Sequence, residues 1–494
     1  MDYQATALKR NPNVAQDATK VIMNSRLFYF LIILFVILQA MVVYLEIESR
    51  MFIAFCFFSI FILFFFSLNK PEIAIMALII YIPFSKIIVG NITTGVNFTN
   101  MLVISILVGW FISHQSKDEK FLIPTSLNFP LLLFFIIGLI SLILGSYQLV
   151  NIEGESIILT YWRWITPMLM YIIVVNNIHD KDSIKKALKA ILITTIVVAL
   201  ITLRQYQNLG VISTWEKARI SSVAGNPNAL GAFMSQFGPL FLGLFVYEGR
   251  RMRSLIYLIP FVLCARATHV TFSRGSWLAF GVASFLVGIF SRSKKLIFLV
   301  ILLVIILAIK PDYIPDSIRA RFDMTFTKKD SYIEEPLEDT LEKSAADRII
   351  IWRGAMNMIK THPILGIGYG SFPYFIMQYS KIEAERDAHN TYLRIAAEMG
   401  IPALLIFLIL ILLIFINTFW VFRHTSDKFF KGCSLGFLGG IIGLVVSCMF
   451  GSRMNSLEIA GQFWIIAALM QRLKMIITQE TSVEEKQALE PNEA

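Results

Sequence analysis

The chain has 494 residues, of which 56% are hydrophobic and 16% charged, with a formal net charge of +10 and a mean hydropathy of +0.67. Its apolar runs spread from residue 27 to residue 477. That excludes a water-soluble globule and predicts an all-α polytopic membrane protein, because a segment in hydrocarbon must satisfy its own backbone hydrogen bonds.

The polar segment 1–26 carries Lys9, Arg10, Lys20 and Arg26. The apolar run behind it is too long for a cleaved signal and lacks a small-residue cleavage site. Spans are predicted near 27–45, 51–68, 72–89, 98–113, 128–147, 157–175, 184–204, 226–248, 254–272, 275–291, 295–310, 401–423, 429–450 and 457–475. The third, fourth, tenth and eleventh are short or closely spaced, so 12–14 transmembrane helices are expected. Basic residues recur at Lys117 and Lys120, at Lys181, Lys185, Lys186 and Lys189, in GRRMR (249–253), in SRSKK (291–295), and at Arg423, Lys428 and Lys431. With these spans they all fall on one side, which the positive-inside rule makes the cytoplasm. The net charge therefore reports topology and does not imply a nucleic-acid partner. The resulting division is a cytoplasmic segment 1–26, N-terminal helices 27–218, a core 219–423 with a loop 311–390, C-terminal helices 424–477, and a disordered cytoplasmic tail 478–494. Cys56, Cys264, Cys433 and Cys448 all lie in apolar helices at no metal-binding spacing.

The same topology puts 90–97, 148–156, 205–225 and 311–390 on the outer face. The last is too long for a connector and reads as a functional subdomain. It opens with the acidic turn EEPLEDTLE (334–342) and turns helical in AADRIIIWRGAMNMIKTHP (345–363), where Ile349, Trp352, Met356 and Ile359 share one face of a 3.6-residue period. Pro363 should stop that helix, and GIGYGSF (366–372) reads as a flexible turn. A phosphate loop is not indicated there, since no strand precedes the glycines and no GK[ST] follows.

Of the six histidines, His114, His179 and His424 fall in basic flanks, while His269, His362 and His389 lie on or near the outer side. His389, in DAHNTYLRIAAEMG (387–400), stands where a polar stretch meets a very apolar one. A neutral imidazole there can be partly desolvated and still reach a hydroxyl, which suits a general base. A helix-capping or interfacial histidine is the alternative. Arg219 in RISSVAGNPNALG (219–231) and Arg274 in FSRGSW (272–277) sit at outer helix ends, and Arg163 in YWRWITP (161–167) lies within a span. A guanidinium inside a span costs about 2.5–3.5 kcal/mol at the helix centre, so Arg163 and Arg266 need partners. Guanidinium groups grip phosphate oxygens in pairs and stay charged, which fits a lipid pyrophosphate whose tail remains in the bilayer. Such a site calls for no metal and no cofactor. Each arginine alone could equally snorkel to ordinary phospholipid.

HNTYLRIAAEMG is similar to the His-Asn, nine residues, Gly signature of the O-antigen ligase and polymerase superfamily, bacterial membrane glycosyltransferases acting on undecaprenyl-pyrophosphate-linked glycans. RISSVAGNPNALG, FSRGSW and DRIIIWRGAMNMIKTHPILGIGYGSF resemble the family's other blocks in the family's order, over 219–422. The resemblance implies an inverting, GT-C-like helical fold in the bacterial inner membrane, metal- and nucleotide-independent, with its site facing the periplasm or exterior. It makes His389 the activator of an acceptor hydroxyl on lipid A core or a growing polysaccharide. Arg219 and Arg274 would hold the donor pyrophosphate, with Arg348 and Arg163 added, and Asn390, Tyr392 and Glu398 would orient groups or touch the acceptor. Arg394 and Glu398 are spaced as an i, i+4 pair, so Glu398 reads as structural or orienting. Family ligases commonly carry Gly-x-x-Gly-Thr after the spacer, whereas Gly400 is followed by Ile401, Pro402, Ala403 and Leu404, which leaves ligase against polymerase open. A transporter or flippase of small anions or lipid-linked sugars is the competing reading, but it predicts an internal repeat that the chain does not display. An envelope scaffold is a third.

Overall fold

A computed structural model of the chain describes residues 48–87, 98–115, 122–149, 157–209, 219–248, 251–291, 343–382 and 386–489. The expected spans at 27–45 and 295–310 and the acidic stretch 334–342 lie outside them. Among the described residues the regular structure is helical throughout: α1 (Glu48–Asn69), α2 (Pro71–Tyr81), α3 (Phe98–Gln115), α4 (Asn128–Gln148), α5 (Ile157–Asn177), α6 (Lys181–Asn208), α7 (Pro227–Tyr247), α8 (Arg251–His269), α9 (Arg274–Ser291), α10 (Lys343–Thr361), α11 (Phe372–Tyr379), α12 (Thr391–His424), α13 (Lys428–Cys448) and α14 (Leu457–Leu489). Seven of them, α4, α5, α6, α7, α9, α12 and α13, are long and apolar enough to cross a membrane. Four shorter apolar segments (Phe58–Leu68, Pro71–Phe84, Phe98–Ile112 and Ser254–His269) and α14 occupy the other expected spans in the described residues. The chain is an all-α, multi-pass membrane protein.

The described residues divide into two units. In the first (1–78 and 88–119), α1 packs on α3 where Gly109 meets Ser67, too close for any Cβ. The second unit (79–87 and 120–494) holds everything discussed below. Lipid tails are as apolar as leucine, so burial gives no hydrophobic gain between helices in a membrane and close approach of small residues drives their association. Here α7 is the central helix, with 89% of its apolar window buried against 28% for α4. Its main partner is α13, whose Gly432, Gly436, Gly440 and Gly443 lie on the backbone of Ser235, Gln236, Leu240, Gly243 and Leu244. A methyl group at any of those glycines would force the helices apart. Helix α9 closes on both, α8 packs on α7, and α14 lies against α5 and α12.

Polar side chains start these helices where free N–H groups need acceptors. Asp180 caps α6, Asn226 caps α7 with Pro227 behind it, Asn390 caps α12 and Asp427 caps α13. Asp427 also pairs with Lys185 at 3.5 Å, joining two of the basic clusters at one end of the unit. The α7, α9 and α12 N-termini lie at the other end, where Arg266 of α8 meets His269 (2.6 Å) and the Tyr206 ring of α6 (5.5 Å). These are the partners that an arginine in an apolar helix requires.

Two expectations change. The tail 478–494 was expected to be disordered, but α14 runs on to Leu489. Extending a helix already anchored by buried turns costs little, and a Lys181–Glu480 ion pair and hydroxyl bonds from Thr478 and Thr481 support the extension. In α10 the buried face is Ile351, Ala355, Met358 and Ile359, while Met356 is 45% exposed. The helix packs through Ile351 and Met358 on α11 and the start of α12, which rotates its core face from the one the period suggested.

Candidate functional site

Arg219 lies in the segment leading to α7, held to the end of α8 by a bond from the Ile220 N–H to the Val270 carbonyl (3.3 Å). Its Nε donates to the Thr271 carbonyl (3.2 Å) and its second terminal nitrogen to Asn228 Oδ1 (2.9 Å). Arg274 is the first residue of α9 and follows Phe272, whose φ of 50° turns the chain sharply between α8 and α9. Arg348 comes from α10. These three arginines line one open cleft with Asn228, Phe272, Ser273, Gly275 and Phe450, and none of the lining residues is acidic. Gly275 lies against the Phe450 ring, so a larger residue there would displace the cleft wall. Three guanidinium groups on three elements, facing one small volume, suit an anion with several oxygens.

His389 stands just before α12, in the left-handed region with φ of 50°. This conformation is uncommon for a residue other than glycine, and here neighbours on both sides hold it. The Trp352 indole donates to the Ala388 carbonyl (3.1 Å), the His389 N–H donates to Asp387 Oδ2 (3.1 Å), and Asn390 accepts from the N–H groups of Tyr392 and Leu393 (3.0 and 3.1 Å). The start of α12 is pinned to the turn between α13 and α14: Thr391 Oγ1 donates to the Gly451 carbonyl (2.8 Å) and accepts from the Arg453 N–H (3.1 Å). Burial holds the His389 imidazole below its ordinary pKa; the charges of Arg348, Arg453 and Arg386 push the same way and Asp387 opposes them. Arg348 thus lines the cleft and also acts electrostatically on the histidine. Burial would raise Asp387, but Arg394, Ser452 and His389 outweigh it and keep the carboxyl below its usual range. Arg453 is pushed down to about 10, chiefly by burial. Its guanidinium lies on Gly451, and its Nε has no hydrogen-bond partner among the described residues.

Beneath His389, the GIGYG segment is not a flexible turn but a wedge. Gly366, Gly368, Gly370 and Gly400 all have positive φ, and Gly400 (φ 84°) breaks α12. A break frees carbonyls that would cost energy unpaired in an apolar interior. The N–H groups of Ile367 and Gly368 take those of Ala397 and Glu398 (2.8 and 3.0 Å), and the Ile401 N–H takes that of Pro363 (2.8 Å). Gly366 and Gly400 are so close to the facing backbone that a Cβ would overlap it. The glycine eleven positions after His389 is therefore the pivot that sets the short first limb of α12. Replacing Gly400 by alanine should cost at least ~2 kcal/mol through strain and overlap, read as a fall of several degrees in the unfolding temperature in detergent.

The structure brings Arg219, Arg274 and Arg348 together in one cleft, which His389 does not line; the charge of Arg348 links the histidine to it. Arg163 is exposed on α5 and does not line the cleft, because its neighbours Tyr161 and Trp164 take the inward positions against Tyr369. Asn390 is spent on the helix cap. Tyr392 donates its hydroxyl to the Val445 carbonyl of α13 (2.8 Å) instead of standing open to a sugar. Glu398 is buried, pairs with Arg394 at 3.3 Å as the spacing predicted, and accepts from the Phe372 N–H (3.3 Å). Sequence reasoning passed over Asp387, Arg386 and Arg453. The one signal for Arg453 was GSRMN (451–455), a polar break between the last two apolar runs.

The O-antigen ligase family model matches residues 259–408. The matched stretch includes Arg274, Arg348 and His389 through Gly400, while Arg219 precedes it and Arg453 follows it. A comparison with curated proteins finds no match.

Proposed function

We propose that this chain, whose residues 259–408 match the O-antigen ligase family model, moves a glycan from undecaprenyl pyrophosphate to an acceptor hydroxyl of lipid A core or of a growing polysaccharide. The site would face the periplasm or exterior of a bacterial inner membrane. The observation that carries the reading is the convergence of Arg219, Arg274 and Arg348 on one cleft, with Arg348 also acting on His389.

In this reading the diphosphate lies against the three guanidinium groups, and its prenyl chain stays in the lipid. His389, kept neutral by burial and by the arginines, accepts the proton of the acceptor hydroxyl. The acceptor oxygen then attacks the anomeric carbon from the face opposite the leaving diphosphate, inverting the configuration. Charge grows on the leaving oxygen in the transition state, and fixed guanidinium groups stabilise it without reorganising. Arg453 adds further positive charge acting on His389. The chemistry asks for no metal and no nucleotide, because the donor arrives already activated.

The test is transfer by the purified protein in vesicles holding an undecaprenyl-diphosphate glycan and a hydroxyl acceptor. One undecaprenyl diphosphate released per glycan transferred is expected, in the presence of EDTA. Passage of the donor across the bilayer without bond cleavage would contradict the reading.

A further inference from the structure

Asp387 and His389 stand on either side of Ala388, which is fully buried and whose carbonyl is held by Trp352. The Asp387 carboxylate is tied from three directions: Oδ1 accepts from Arg394 (2.9 Å), and Oδ2 accepts from the Ser452 hydroxyl (2.8 Å) and the His389 N–H (3.1 Å). His389 Nδ1 lies 3.7 Å from the same Oδ2. Arg394 is already balanced by Glu398, so Asp387 is a second carboxylate on one arginine. Its charge is in excess of what the buried pair needs.

We infer that Asp387 is the positioning residue for His389, holding the Nδ1–H tautomer so that the Nε2 lone pair meets the acceptor hydroxyl. The inference rests on the proposed role of His389 as base. In the transfer step the hydroxyl proton passes to Nε2 and the acceptor oxygen bonds to the anomeric carbon. The bond from that carbon to the diphosphate oxygen breaks, and its electron pair leaves with the diphosphate. The ring becomes an imidazolium among Arg348 of α10, Arg453 of the α13–α14 turn and Arg386 of its own segment, all of which oppose that charge. Asp387 is the negative group that offsets them. The 3.7 Å separation closes with a small rotation of the half-exposed ring, as catalytic hydrogen bonds commonly tighten on substrate binding.

The experiment compares wild type, Asp387→Asn, Asp387→Glu and His389→Ala in the reconstituted transfer assay across pH. It is paired with nitrogen NMR of protein labelled at histidine, His389 being assigned by its loss in His389→Ala. Asp387→Asn should lower kcat by roughly 100-fold or more, leave donor KM nearly unchanged and move the acid limb to lower pH. Asp387→Glu should recover part of kcat. The wild-type His389 ring should read as the Nδ1–H tautomer, a result that does not require either Asp387 variant to fold. A wild-type Nε2–H tautomer overturns the inference. So does Asp387→Asn with full kcat, or with reduced kcat and an unmoved acid limb, while His389→Ala is inactive. Full transfer by His389→Ala would instead remove the base reading beneath it.

Discussion

Replacing His389 by alanine should cut glycan transfer by about 10²–10⁴-fold, the range a positioned general base contributes, while the amount of folded protein in the membrane stays unchanged. The fold does not depend on the imidazole. Asn390 caps α12, Trp352 holds the Ala388 carbonyl, and the packing of α10 on α12 runs through Ile351, Ala355 and Met358. Alanine also relieves nothing at φ 50°, so a small loss of stability is expected and is separable from activity by an unfolding curve. The pH profile carries the sign. Burial and three arginines favour the neutral ring, so the free protein should keep its base active somewhat below the ordinary histidine value of about 6.5. Donor diphosphate against Arg348 would offset part of that cationic field and raise the histidine again. The acid limb of kcat should therefore lie at higher pH than that of kcat/KM for the donor, and coincident limbs would argue against a diphosphate beside His389.

Arg219→Lys should lower kcat/KM for the donor by about 10–100-fold, equivalent to the roughly 1.5–3 kcal/mol of a hydrogen bond to a charged group. The substitution keeps the charge, so electrostatic attraction alone would predict little change. Geometry predicts otherwise. The guanidinium is fixed by Thr271 and Asn228 while it faces the cleft, and a lysine ammonium cannot keep both anchors and present a planar pair of donors to a phosphate. The loss should appear in both donor KM and kcat, since the diphosphate is held in the ground state and gains charge in the transition state. Arg274→Lys should behave alike, whereas exposed Arg163 lies outside the cleft.

The sequence made the membrane helices legible because the bilayer demands long apolar runs, and it made His389, Arg219 and Arg274 legible because charge at the end of such a run is conspicuous. It did not reveal what depends on contact between distant segments. Asp387 meets Ser452 across 65 positions, and nothing in DAHN announces that partner. Arg453 drew no notice in the sequence, because only the docking of the turn between α13 and α14 on Thr391 brings it to the start of α12. Arg163 was singled out because a guanidinium within a span needs a partner, yet α5 turns Trp164 inward and leaves the arginine exposed and outside the cleft. GIGYG looked like a flexible turn since glycine permits mobility, and only the break at Gly400 explains why each glycine is needed against a facing backbone.

If three guanidinium groups from three separate elements act as one diphosphate site, equilibrium binding of undecaprenyl diphosphate to the purified protein should depend on each of them. Wild type, Arg219→Ala, Arg274→Ala and Arg348→Ala would be titrated side by side with undecaprenol as the uncharged control. Saturable binding of the diphosphate in preference to the alcohol is expected, weakened at least about tenfold by each single substitution. Equal affinity for diphosphate and alcohol, or three arginine variants that bind like wild type, would contradict it.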